Sequence, residues 1–267
     1  MIPSEKVAGD DEFKKVGRTS AKLNTSTFEE SLQERRCIVR KSKMFKTLQS
    51  QLEAFSLKIR QIRCLAIGSF FEEFAALYQL ALLLELVDFL NANNETAVKV
   101  SIYDPVFTDA DKKFIADQGE TWSIVEEISQ NSESAIGVLF FLPHAPLDLT
   151  ENVLALEKPH ILLANHVAKH VDRYTKAQLF NKYPKLAKLN QFLTSQNQPV
   201  ASDFQPFVSK RARRKRKNNI TEEPIDYDSI EAYFEKVNVL TDFGGGDLLA
   251  NQPWLNSFSD LALHQIQ

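Results

Sequence analysis

Between residues 44 and 62 the apolar positions Met44, Leu48, Leu52, Phe55, Ile59 and Ile62 recur at steps of three or four, which predicts one buried face of a helix. Beyond it, short apolar runs alternate with helical stretches. Residues 63–68 (RCLAIG), 97–103 (AVKVSIY), 122–125, 135–142 (AIGVLFFL) and 160–164 (HILLA) read as strands. Asp104-Pro105 and the Pro143-His144-Ala145-Pro146 segment end two of them, because proline cannot continue a ladder. Ser69 with Glu72 has the spacing of a capping box and predicts a helix from Phe70 to about Leu90. That helix is apolar nearly all round, so it is covered on several sides. Thr108 with Asp111 opens a second capped helix, closed by Gly119, and Asp148 with Glu151 opens a third. Further helices are predicted over 171–183, 185–193 and 227–235. A strand follows at 237–240, then a turn at Gly244 to Gly246 and a last ordered segment at 255–266.

Strand alternating with helix implies parallel pairing, since each crossover needs the intervening helix. Right-handed crossovers then put helices on both faces. The prediction is an α/β, Rossmann-like, mostly parallel sheet with helices on both faces, built from residues 43–195 and 227–267. The polar stretch 1–42 reads as a disordered tail, and 196–226 as a flexible basic linker.

Of the 267 residues, 43% are hydrophobic and 25% charged, which excludes wholesale disorder. The totals of 32 basic and 35 acidic residues hide an asymmetry. Lys210, Arg211, Arg213, Arg214, Lys215, Arg216 and Lys217 place seven basic residues within eight positions, leaving 25 basic against 35 acidic elsewhere. A folded body of that sign does not attract polyanions, so nucleic acid is not an expected partner of the body. The run itself fits a nuclear-import signal read by an import receptor, a patch for an acidic surface, or a solvated charge run. The two cysteines, Cys37 and Cys64, cannot supply a disulfide framework or a cysteine-built zinc site. The densest apolar run, 74–84, falls short of the roughly 20 residues of a membrane span, and the N-terminal MIPSEKVAGDDEF lacks a secretory apolar core. The expectation is an intracellular chain, cytoplasmic and nuclear, with no membrane partner.

In an open parallel sheet, ligands sit outside the carboxyl ends of the strands. There the topology would gather Gly68, Ser69, Asp104, His144 and Asn165 as a candidate ligand edge. Gly68-Ser69 could offer backbone N–H groups to an anion at a helix N-terminus, and Asp104 could hold ribose hydroxyls. Equally, Gly68 could simply turn, Ser69 cap a helix and Asp104 satisfy a loop; one glycine stands where a dinucleotide loop wants three. His144 fits an acid–base group or a loop imidazole bonded to backbone. His166 and His170 are four apart but lack the glutamate of a zinc-hydrolase helix, and are read as neighbours and not as metal ligands. Tyr78 reads as a core aromatic. Gln79 beside it is an amide in an apolar helix, so it must reach the ligand edge or the sheet backbone. No residue set spells out a reaction, a metal or a cofactor.

Several blocks, CLAIGSF at 64–70, YQLALLLEL at 78–86, YDPVFTDAD at 103–111, LFFLPHAPLDLTENVL at 139–154, ILLAN at 161–165 and SFSDLALHQI at 257–266, resemble the sensitivity-to-red-light-reduced (SRR) domain family, in family order. The likeness covers about 55–267 apart from the linker and is nearest to the fungal, benomyl-resistance branch. Tyr78, Gln79, Pro105, Pro143, Pro146, Asn152, Phe258 and Asp260 carry the motif positions. The resemblance implies a Rossmann-like domain with a regulatory, non-catalytic role exerted through protein partners. In fungi it implies microtubule-related processes; in relatives, clock control and haem biosynthesis. Neither cysteine precedes proline, so a Cys-Pro haem ligand is not available. The other reading is a transferase of Rossmann-like fold binding a nucleotide or S-adenosylmethionine.

Overall fold

The strands of the sheet are β1 (Gln61–Leu65), β2 (Lys99–Tyr103), β3 (Trp122–Ile124), β4 (Ala135–Leu142), β5 (Pro159–Asn165), β6 (Val237–Thr241) and β7 (Leu261–Ile266). In the computed structural model, which describes residues 25–128, 135–196 and 225–267, they lie in the order β3-β2-β1-β4-β5-β7-β6. β1 pairs in parallel with β2 and β4, β2 with β3, and β4 with β5. β7 alone is reversed, antiparallel to both β5 and β6. The first five strands thus follow the alternation read from the sequence, and the most apolar run, β4, takes the middle of the sheet.

Helices cover both faces. Alternate strand residues, such as Ile62, Cys64, Leu139, Phe141 and Leu163, pack under α1 (Thr25–Lys41), α2 (Lys43–Ser56), α3 (Phe74–Asn93) and α4 (Asp109–Asp117). Their neighbours Phe140, Leu142, Leu162 and Ala164 pack under α5 (Leu147–Leu156), α6 (Val167–Val171), α7 (Lys176–Lys182) and α8 (Pro184–Gln196). The period-two alternation of a strand produces this division.

α3 explains its own composition. By length and composition it is the one helix among the described residues that could cross a membrane, yet 72% of its apolar window is buried inside the fold. The sheet lies under it and α1 over it. The Glu85 carboxylate, 2% exposed within this apolar helix, is held by Arg36 and Arg40 of α1 at 2.6–2.9 Å.

Several local expectations differ from the structure. Residues 25–41, expected as part of a tail, form α1, because Phe28, Leu32 and Val39 share a face that packs on the core. The Ser69–Glu72 pair does not cap a helix. α3 begins at Phe74 with Glu73 as its N-cap, and Ser69 turns away to Asp111. Asp148 and Glu151 do not cap α5 either: Asp148 accepts from the Tyr183 hydroxyl, and Glu151 accepts from the Lys185 and Leu186 N–H groups at the start of α8. The helix expected at 227–235 is a single 3-10 turn over Tyr227–Ser229. The Thr108–Asp111 box forms as read.

On the face of β1 and β2 opposite α3, Gln61, Arg63, Ser101 and Ser123 line a surface pocket. Arg63, on that face of β1 and 3% exposed, donates to the carbonyls of Val125 and Glu127 and pairs with Glu157. It pins the segment after β3 against the sheet.

Candidate functional site

The sequence brings β2 to one side of β1 and β4 to the other, so the connections leave in opposite directions at this point. In doubly wound sheets the crevice at such a switch point is where ligands bind. A cleft of about 510 Å³ lies there, bounded by the loops after β1, β2 and β4 and by the segment after β3. Three of the five candidate edge residues line it: Gly68, Asp104 and His144. Pro105 and Pro146 line it as well.

Asp104 organises the floor. Its Oδ2 accepts from the Gly68 N–H at 2.7 Å and its Oδ1 from the Val106 N–H at 3.0 Å. Gly68 has φ +76, and a Cβ there would meet the Ala76 Cβ and the Glu73 carboxylate at 3.2 Å, so the loop needs a residue without a side chain. Of the two readings of Gly68-Ser69, the anion site loses its first donor, and the cap is not made. The Gly68 N–H is committed to Asp104, Ser69 is buried against Asp111, and Glu73 places a carboxylate at the start of α3.

Gln79 is fully buried and reaches the cleft, one of the two destinations read from the sequence, but its amide bonds to turn backbone before β7 and not to the sheet. Its Nε2 donates to the Ser257 carbonyl at 3.0 Å, while the residue lines the inner wall of the cleft. Its Oε1 is buried with no hydrogen-bond partner among the described residues. The Ser257 carbonyl requires a donor, which fixes the amide in this orientation. Tyr78 beside it is a core aromatic, edge-on to Trp254 at 6.5 Å and under the Arg35 guanidinium at 5.1 Å.

His144 stands at the mouth. Partial desolvation there lowers its pKa from the usual imidazole value, with the Asp260 carboxylate acting in the opposite sense. Asn165 does not line the cleft; it donates from Nδ2 to the Ala145 carbonyl at 3.4 Å and braces the loop after β4. Pro143 is buried in that loop, and Asn152 is exposed on α5. Phe258 packs on Trp254 at 5.7 Å, and the Asp260 carbonyl accepts from the His166 N–H. Among the described residues no group of three His, Cys, Asp or Glu side chains is placed to hold a metal. The basic run 210–217 lies outside the described residues.

Sequence reasoning missed Glu73, Tyr103 and Glu126. The Tyr103 hydroxyl donates to Glu126 Oε1 at 2.9 Å, and all three residues line the cleft. Position was the available signal: Tyr103 immediately precedes Asp104, and Glu126 follows the third strand. With Asp104, the described lining carries three carboxylates and no Lys or Arg, set in a mainly apolar wall.

A family model, the SRR1 domain, matches residues 44–265. An SRR1-like protein of Drosophila melanogaster is 30% identical over 108 residues, 40% of this chain and 37% of that protein. The match thus spans little more than a third of that relative's length. No solved structure matches. On the extent of the family match, the chain belongs to the SRR1-domain family.

Proposed function

We propose that this SRR1-family chain is a non-catalytic regulatory protein whose cleft takes up a small, phosphate-free ligand and whose occupancy is read by protein partners. The observation that carries the reading is Gln79, a residue of the cleft lining whose buried Oε1 has no hydrogen-bond partner among the described residues. A buried polar atom left without a hydrogen bond costs about 1–3 kcal/mol, which a ligand donor would recover. Charge narrows the ligand further. Glu73, Asp104 and Glu126 favour a neutral or cationic molecule with N–H or O–H donors and oppose phosphate. Following the resemblance, the process served would be microtubule-related, as in the fungal branch, with clock control and haem biosynthesis as its counterparts in relatives. The protein would act in cytoplasm and nucleus.

Ligand-observed NMR with a library of amine, amide and phosphate fragments tests this, using the full chain and Ala75→Trp, which would fill the cleft from α3. Amine and amide fragments should bind the full chain and be displaced in Ala75→Trp at unchanged melting temperature. Binding indifferent to Ala75→Trp, or selective for phosphate fragments, would overturn the reading.

A further inference from the structure

We infer that the ligand class is an adenosyl sulfonium, a positively charged, phosphate-free adenosine derivative of which S-adenosylmethionine is the available probe. The inference rests on the cleft reading above and adds the ligand's identity. The Asp104 carboxylate immediately follows β2, the strand beside β1 at the switch point, where an acidic side chain meets ribose hydroxyls in nucleoside-binding sheets. A carboxylate offers about four acceptor positions. Gly68 and Val106 each take one, on different oxygens, so each oxygen keeps a position free. Two adjacent acceptors on one carboxylate match the two hydroxyls of a ribose diol.

The neighbouring wall suits the base. Val106 is 51% exposed immediately after the Asp104-Pro105 turn, and Ile128 and Leu149 complete an apolar slot. Glu126 stands at the slot with Oε1 already accepting from Tyr103, leaving Oε2 for an exocyclic amine. An adenine presents such an amine and a flat apolar face.

Charge then separates this class from other nucleosides. A dinucleotide or nucleoside triphosphate requires N–H donors or cations for its phosphates. Here the Gly68 N–H is occupied and α3 opens behind Glu73. A sulfonium beside Glu73 and an ammonium near Gln79 meet acceptors instead. The carboxylate of the probe, for which the described lining offers no Lys or Arg, is left to solvent at the mouth, so the adenosyl sulfonium part is what the cleft selects. The cleft volume, about 510 Å³, lies within the range of sites for molecules of this size. The acceptors of the cleft, and not the strand order, select the ligand.

Titration calorimetry of the full chain with S-adenosylmethionine, S-adenosylhomocysteine and ATP is the test. S-adenosylmethionine should bind in the micromolar range, the uncharged thioether S-adenosylhomocysteine several-fold more weakly, and ATP not at all at millimolar concentration. Glu126→Gln, at an exposed side chain, should weaken S-adenosylmethionine about threefold to tenfold with unchanged melting temperature. Asp104→Asn should abolish binding; because that change also touches the loop, the Glu126→Gln result carries the decision. No S-adenosylmethionine binding while amine fragments still occupy the cleft would overturn this inference and leave the cleft reading standing. Equal binding of ATP, or affinity unmoved by Glu126→Gln, would overturn it too, and loss of every probe would remove both readings.

Discussion

The Ser69 hydroxyl donates to Asp111 Oδ2 at 2.7 Å, joining the loop after β1 to the first turn of α4 across 42 residues of chain. The same fully buried carboxylate accepts from the Phe71 N–H at 3.2 Å and from the Thr108 N–H and hydroxyl at 2.7 Å. One side chain therefore sets the wall of the cleft and the start of a helix. Removing it leaves several buried donors without an acceptor. Asp111→Ala should lower stability by about 2–4 kcal/mol, and Ser69→Ala by about 1 kcal/mol, in urea unfolding. Equal losses for the two would mean that the hydroxyl and not the carboxylate is the organising group.

The Glu85 pairs predict an asymmetry. Truncating both arginines, Arg36→Ala with Arg40→Ala, strands a carboxylate in an apolar helix and should cost about 3–5 kcal/mol. Glu85→Leu removes that charge and leaves arginines that can reach water. It should change stability by less than about 1 kcal/mol. Chemical denaturation of the two variants decides it, and the reverse ranking would show that the arginines' packing, not the buried charge, holds α1 in place.

Acid should destabilise the fold through His264. Its ring is fully buried, with Nδ1 at 3.3 Å from the Leu162 carbonyl, and burial lowers its pKa to about 4, with His166 adding to the effect. Below pH 6.5 the unfolded chain takes up a proton that the folded chain refuses. This contribution is therefore complete above about pH 6.5 and is lost as pH falls toward about 4, by on the order of 3 kcal/mol. His144, His166 and His170 shift in the same direction. Stability measured from about pH 7.5 to about pH 4 should fall on the acid side, and His264→Asn should flatten that fall. A pH profile identical in the variant would assign the loss to other groups.

The run 210–217 is proposed to carry import. Replacing its seven basic residues with serine should reduce the nuclear share of a fluorescently tagged chain without moving the melting temperature. An unchanged distribution in cells would reject that role.

The alternation of apolar runs was enough to locate the first five strands and make them parallel, because buried parallel strands are short, nearly uninterrupted apolar segments. β7 was less legible. LALHQI lies within a longer expected segment, and its reversal depends on pairing with β5 and β6, which sequence spacing does not encode. Capping patterns divided. Thr108–Asp111 folded as written, whereas the similarly spaced Ser69–Glu72 did not, because Asp111 from another element offers Ser69 a buried partner. α1 escaped notice because its core face, Phe28, Leu32 and Val39, is sparse and flanked by charge. Its trace in the sequence was indirect: Glu85 stands amid leucines with no partner of its own on that helix. In the cleft, Gly68, Asp104 and His144 followed from the strand ends alone. Asn165 sits at a strand end too but turns to the neighbouring loop, and Glu73, Tyr103 and Glu126 depended on where the chain goes after it leaves the sheet.

β7 separates β5 from β6 in space but follows both in the chain. On the ribosome, β5 and β6 emerge before the strand that joins them, and the apolar Ile161–Ala164 border of β5 stays open until residues 261–266 arrive. An unpaired apolar border on a nascent chain is a template for wrong pairing. Closure of the sheet therefore waits for β7, and until that strand arrives the β5 border is the part of the fold most open to wrong pairing.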